Sequence, residues 1–221
     1  MTGTKTRESF AAVAFDCDST LSAIEGIDEL AVRRGCAAEI EPLTTAAMEG
    51  RLAIEEVYAR RLDVLKPSRA DIDWLGQRYI ETMVAGAHSA IARLKASGRA
   101  VYIVSGGLKP PVLQLAQRLD VPADRVFAVD IYFDGTGSYA GFEAASPLTR
   151  SDGKATIAAK IRALSGTLAL VGDGVTDVAA SEGGAFVIGF GGVVRRPAVA
   201  ERANAFIDGP SLDAVADYLL G

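Results

Sequence analysis

An apolar run, Ala11-Ala12-Val13-Ala14, leads into Phe15-Asp16-Cys17-Asp18-Ser19-Thr20. Its shortness and polar borders predict a buried parallel strand with Asp16 at the carboxyl end. From Gly26 to Ala85 the period changes. Ile27, Leu30 and Ala31, then Leu52, Ile54, Val57, Tyr58 and Leu62, then Ile72, Leu75, Tyr79 and Ile80 recur at helical spacing, punctuated by Pro42, Gly50 and Pro67. No strand-like stretch interrupts them, so the pattern predicts a helical insertion over 22–85 that folds across the first strand's end as a cap.

Strand and helix alternate after Gly86. Ala87–Ser97 reads as a helix and Ala100–Val104 as a strand ending at Ser105-Gly106-Gly107, after which Pro110 and Pro111 open a helix running to about Leu119. Val126–Val129 reads as a strand. Ile131–Phe133 and Tyr139–Phe142 flank Asp134-Gly135-Thr136-Gly137, which predicts a hairpin on the sheet's edge. Lys154–Leu164 reads as helical and Leu168–Val171 as a strand; Gly172-Asp173-Gly174 then turns into a helix near Val175, and Ala185–Ile188 and Ala205–Ile207 close the strands. The economical architecture is α/β: a Rossmann-like parallel sheet built from 1–21 and 86–221, with helices on both faces and the small helical cap inserted after the first strand.

Composition narrows the function classes. A chain of 221 residues, 49% hydrophobic, can bury a sizeable core, and a net charge of −5 without a basic run argues against a nucleic-acid or anionic-membrane surface. Met1–Ser9 is polar and lacks the apolar centre of a signal peptide, and no apolar run has bilayer-spanning length, so a cytoplasmic protein is expected. Two cysteines, Cys17 and Cys36, form neither a disulfide framework nor a metal-ligand spacing, and Cys17 is expected in the core. A homodimer stays open.

Side chains alternate along a strand, so Asp16 and Asp18 share one mouth while Cys17 points the other way. Two carboxylates that close repel, and a divalent cation or a shared proton offsets the repulsion. The pair therefore reads as a metal-assisted site rather than as solvated turn acids. Other strand ends carry compatible groups. Ser105 offers a hydroxyl, the amides of Gly106 and Gly107 can approach a phosphate without a Cβ in the way, Lys154 can neutralise transferring oxygens, and Asp173 adds a hard oxygen ligand. Dinucleotide fingerprints fail at both glycine-rich turns, because Asp177 and Val194 occupy the third glycine positions. The single histidine, His88, sits in a helical stretch and supports no triad.

In order, Asp-x-Asp-x-Thr, a strand-end Ser, a Lys and Gly-Asp-Gly-x-x-Asp resemble the four motifs of the haloacid dehalogenase superfamily of aspartate-dependent phosphatases. Asp16–Ala31 (DCDSTLSAIEGIDELA), Arg61-Leu62 to Pro67-Ser68, Val104–Gly107 (VSGG), Tyr139–Phe142, Gly172–Asp177 (GDGVTD) and Ile188–Gly192 (IGFGG) are similar to the phosphoserine phosphatase branch. The resemblance covers nearly the whole chain. It implies Asp16 as nucleophile and Asp18 as general acid, then base. It implies Mg²⁺ held by Asp16, the Asp18 backbone carbonyl and Asp173, with Asp177 and Gly174 in support. Ser105, Gly106, Gly107 and Lys154 would hold phosphate oxygens, and Thr176 would contact substrate or the attacking water. Glu25 would receive the ammonium of phosphoserine, Arg61 its carboxylate, and Met48 would line the cap side. Glu49, Ile54 and a shorter loop before Lys154 depart from the pattern. The implied activity is hydrolysis of O-phospho-L-serine through an aspartyl-phosphate; transfer to another alcohol such as homoserine, a related phosphomonoester as substrate, and a non-catalytic phospho-ligand sensor stay open beside it.

Overall fold

The computed structural model describes residues 9–221; the Met1–Glu8 segment, on which the leader expectation rests, lies outside the described residues. Strand β1 (Ala12–Phe15) is entirely buried and is followed by β2 (Ala100–Leu108), β3 (Val126–Val129), β4 (Ile131–Phe133), β5 (Tyr139–Phe142), β6 (Leu168–Gly172), β7 (Phe186–Phe190) and β8 (Ala205–Ile207). Six of these form one sheet in the order β3-β2-β1-β6-β7-β8, every pair parallel. Helices α5 (Ala87–Ala96), α6 (Lys109–Arg118), α7 (Gly153–Ser165), α8 (Val175–Ala179), α9 (Pro197–Arg202) and α10 (Asp213–Leu220) connect and cover it. The run of small apolar residues in β1 suits a strand covered on both faces.

Strand order reverses beside β1, the place where open α/β sheets open a crevice at their carboxyl ends. Register then decides what meets there. Phe15 is level with Ile103 on one side and Val171 on the other, so Asp16 stands one step short of both Ser105 and Asp173. The Asp16 N–H donates to the Val171 carbonyl at 2.9 Å, which carries the ladder one residue past the strand.

Between β1 and α5 lie four α-helices: α1 (Gly26–Arg34), α2 (Ala37–Met48), α3 (Ile54–Leu65) and α4 (Arg69–Glu81). Gly35, at φ 73°, ends α1 in the left-handed conformation that glycine adopts without strain. Ser68 and Asp71 cap the start of α4 reciprocally, each side chain bonding the other's backbone N–H. The two ends of the segment meet where Ser22 bridges Met83 and the Ala23 and Val84 N–H groups bond Thr82 and Leu21 carbonyls. Helix α4 lies against α6, with Gln77 Nε2 bonded to Gln114 Oε1 at 3.3 Å.

Two expectations are corrected. The β4–β5 hairpin is not on the edge of the main sheet; it forms a separate two-stranded antiparallel sheet, and the edges are β3 and β8. Its side chains and turn engage the helical segment instead, with Phe142 5.3 Å from the Tyr58 ring and the Gly137 carbonyl bonded to Arg69 N–H. The second strand does not end at Val104 either. It runs to Leu108 with a break in register between Val104 and Leu108, so Ser105-Gly106-Gly107 bulges away from β3. Among the described residues no helix is long and apolar enough to cross a membrane.

Candidate active site

The carboxyl ends of the central strands converge on a cavity of about 80 Å³ lined by Asp16, Asp18, Gly106, Gly107, Lys154 and Thr176 from the sheet side. Glu25, Met48, Tyr58, Arg61 and Tyr79 line it from the helical side, as does Ile54, one of the departures from the resemblance. The other substitution, Glu49, faces away from this cavity and pairs with Arg51. His88 is exposed on α5 and Cys17 is fully buried, as expected.

Lys154, the second residue of α7, is the electrostatic centre. Its Nζ lies 2.8 Å from Asp16 Oδ1 and 2.6 Å from Asp177 Oδ1, and the residue is 5% exposed. Burial alone would pull an ammonium down, but the two carboxylates outweigh it and hold Lys154 charged above its usual range. Burial pushes Asp16 well up, Asp177, Asp173 and Asp18 push the same way, and Lys154 opposes them.

Three carboxylates, Asp16, Asp173 and Asp177, offer oxygens that lie within 4.8 Å of one another. All three are buried, and hard oxygen donors at that separation suit a divalent cation. Asp177, expected in support, is one of the three. Its Oδ2 also accepts the Gly174 N–H at 2.9 Å, and Thr20 Oγ1 donates to Asp173 Oδ1 at 3.3 Å. Burial pushes Asp173 to about 7, against the pull of Arg196, whose Nη1 lies 2.9 Å from Asp173 Oδ2.

The carboxylate of Asp18 is absent from that cluster. Beyond β1 the chain leaves the pleat, Asp18 sitting at φ −67°, ψ 137° and Ser19 in the left-handed region at φ 49°. This turn sends the Asp18 carboxylate toward the helical segment. Its Oδ1 accepts the Gly26 N–H at 2.6 Å and the Tyr79 hydroxyl at 2.7 Å. The Ser105 hydroxyl donates to Oδ2 at 3.4 Å and accepts the Gly107 N–H at 2.9 Å. Burial raises Asp18, and the Gly26 and Tyr79 hydrogen bonds oppose the rise.

Glu25 and Arg61 are the charged groups of the helical wall, and Arg150 also lines the cavity. Glu25 accepts from Ser19 Oγ at 2.8 Å and pairs with Arg196 Nη2 at 3.4 Å, yet burial pushes it up to about 8. Arg61 is 5% exposed, and among the described residues its Nε has no partner. Its Nη1 donates to Thr44 Oγ1 at 3.3 Å. Four residues to which the sequence assigned no site role belong here: Arg196, Tyr79, Tyr58, whose hydroxyl donates to the Gly106 carbonyl at 2.9 Å, and Thr20. Of these only Thr20 carried a signal, as the last residue of the Asp-x-Asp-x-Thr motif.

The model of the haloacid dehalogenase-like hydrolases matches residues 13–182, a span that holds the acid pair, Ser105, Lys154 and the Asp173–Asp177 turn. The chain belongs to that family. This hydrolase is 35% identical to a phosphoserine phosphatase of Drosophila melanogaster over 198 residues, 88% of this chain and 73% of the relative. Two solved structures superpose closely. One is a substrate-bound phosphoserine phosphatase complex, with TM-score 0.84 and 28% identity, covering 96% of this chain and 100% of that one. The other is a phospho-aspartyl intermediate analogue of phosphoserine phosphatase, with TM-score 0.81 and 29% identity over 96% and 100% of the two chains.

Proposed function

We propose that this hydrolase is a Mg²⁺-dependent phosphoserine phosphatase in which the 22–85 segment is the cap and supplies substrate specificity. The observation that carries the reading is the pairing, in one cavity, of the Asp16–Lys154 centre with a buried guanidinium, Arg61, whose Nε has no partner among the described residues. Buried polar groups are almost always bonded, and a planar guanidinium with free donors fits a carboxylate. Glu25 on the same wall suits an ammonium. Phosphoserine carries both groups beside its phosphate.

The chemistry follows in two displacements. A carboxylate oxygen of Asp16 attacks phosphorus, the bond from phosphorus to the seryl oxygen breaks, and that oxygen takes its electron pair together with the proton of Asp18. Serine leaves. Water then attacks the aspartyl-phosphate and passes a proton to Asp18, and the Asp16 carboxylate departs as phosphate is released. Lys154 holds charge beside Asp16 throughout, and the Ser105 hydroxyl and the amides near Gly106 and Gly107 receive phosphate oxygens. Asp16, Asp173 and Asp177, with the Asp18 carbonyl, would hold Mg²⁺, which supplies neutralisation of phosphate charge. The relative captured as a phospho-aspartyl analogue supports the intermediate.

Steady-state phosphate release from L-phosphoserine, phosphothreonine and a simple sugar phosphate tests the reading. Rapid release from phosphoserine alone is expected; equal rates on all three would discard the role of Glu25 and Arg61. Arg61→Ala should raise KM for phosphoserine by about one to two orders of magnitude, the scale of a lost charged hydrogen-bond pair, with a smaller effect on kcat. Millimolar Mg²⁺ should raise the unfolding midpoint of the wild type, because a ligand bound only to the native state stabilises it, and Asp173→Asn should abolish that increment. Removing the cation with a chelator should stop turnover.

Glu25 also predicts a pH dependence. With its carboxyl pushed up to about 8, it is mostly protonated in the free protein at neutral pH, whereas docking an ammonium requires the carboxylate. KM for phosphoserine should therefore fall as pH rises toward about 8. In Glu25→Gln the KM should be high and lose this dependence; a parallel fall in the variant would assign it to another group.

A further inference from the structure

Tyr79 is read from the sequence only as one of the apolar-spaced residues of a helix, yet its ring is 1% exposed and its hydroxyl ends on a reacting group. The phenol donates to Asp18 Oδ1 at 2.7 Å, and the Gly26 N–H donates to the same oxygen at 2.6 Å. Among the described residues the other oxygen, Oδ2, accepts only the long contact from Ser105 at 3.4 Å, and it faces the bare Gly107 backbone, where a Cβ would lie 3.1 Å away. One oxygen of the carboxylate is thus saturated with donors and the other is left toward the cavity.

From this asymmetry we infer that Tyr79 is a positioning residue: with Gly26 it fixes Asp18 Oδ1 as the acceptor oxygen, so that Oδ2 is the atom that gives and takes the proton. A protonated carboxylic acid carries its hydrogen on one oxygen and accepts on the other, and two donors on Oδ1 exclude the hydrogen from that side. The Tyr79 phenol is itself buried against Asp18. Its carrier is rigid. Helix α4 is seated on α6, and Gly76, one turn from Tyr79, is so close to Gln114 that a Cβ there would collide with the amide. The inference deepens the proposed function, since it rests on Asp18 as the acid.

The test uses leaving groups of different need. Seryl alkoxide must be protonated to leave, whereas the acetate of acetyl phosphate is a weak base that leaves without a proton; kcat/KM reports the first phosphoryl transfer in both cases. Tyr79→Phe is expected to lower kcat/KM for phosphoserine about tenfold and to leave the value for acetyl phosphate within about twofold, the signature of a misdirected acid rather than a damaged site. Gly26→Ala is a second route to the same state, because its Cβ would run into the Tyr79 hydroxyl and push it off Asp18. It should show the same selectivity. Unfolding midpoints check that both variants are folded.

Asp18→Asn, measured in parallel, separates the failures. If its kcat/KM falls equally for phosphoserine and acetyl phosphate, or falls for neither, Asp18 is not the acid and the proposed mechanism falls. If Asp18→Asn is selective while folded Tyr79→Phe loses both substrates equally or neither, the mechanism stands and the positioning role of Tyr79 is overturned.

Discussion

Asp16→Asn is expected to release phosphate from phosphoserine about a thousandfold more slowly than the wild type, or slower still, while folding to at least the same unfolding midpoint. The loss follows from chemistry: an amide oxygen is a poor nucleophile, and Asp16 is the carboxylate held at the end of β1 beside Lys154. Stability points the other way. Burial and three neighbouring carboxylates raise the Asp16 carboxyl, so its ionisation costs stability in the cation-free protein, a cost that grows from its unfolded pKa upward as pH rises toward the raised folded value. A neutral amide removes that cost and should flatten the rise in stability seen on acidifying the metal-free protein. Steady-state phosphate release together with thermal unfolding at several pH values measures both effects. Residual turnover near the wild-type rate would remove Asp16 from the nucleophile's role.

Lys154→Met should be equally inactive and, in contrast, unstable. Lys154 is the cation that bonds both Asp16 and Asp177, at 2.8 and 2.6 Å, in a site with almost no solvent. Removing one member of a buried ion cluster leaves the others uncompensated, a loss of about 3–5 kcal/mol. Denaturant unfolding without divalent cation reads this directly, and adding Mg²⁺ should recover part of it, because the same carboxylates would then meet another cation. The two variants thus share one defect in activity and differ in the sign of their effect on stability. If Lys154→Met were as stable as the wild type, Arg196 rather than Lys154 would be the cation that holds the cluster together.

Most expectations that rested on local pattern survived. The eight strands and the all-helical stretch after β1 follow from hydrophobic period, and proline and glycine placed most element ends within two residues. Ser105 and Asp173 could be placed beside Asp16 before any coordinates, because strands of a parallel sheet present their carboxyl ends on one side. Ser105-Gly106-Gly107 was harder. A strand that continues past its unpaired bulge has the same residue pattern as one that ends.

The groups that escaped are those whose partners are distant in the chain. Tyr79 meets Asp18 across 61 positions and Arg196 meets Glu25 across 171, and neither separation leaves a trace in local periodicity. An aromatic at helical spacing reads as core, and Tyr79 is core, apart from its one oxygen. Arg196 sits in a polar turn before Pro197, where an arginine ordinarily faces solvent. The hairpin was assigned to the sheet edge because its turn chemistry dictates pairing within the hairpin and says nothing of the surface it docks on.

Residue order was enough to determine the α/β class, the strand ends that bear chemistry and the family motifs, since each depends on contacts between near neighbours or on rules every parallel sheet obeys. Which carboxylate oxygen points where, that Asp177 joins Asp16 and Asp173, that Arg196 bridges Glu25 and Asp173, and that Arg61 has a donor unpaired among the described residues were decided by packing. Those facts depend on side-chain directions fixed only when distant segments close around one cavity, where burial makes every unmatched charge and donor costly.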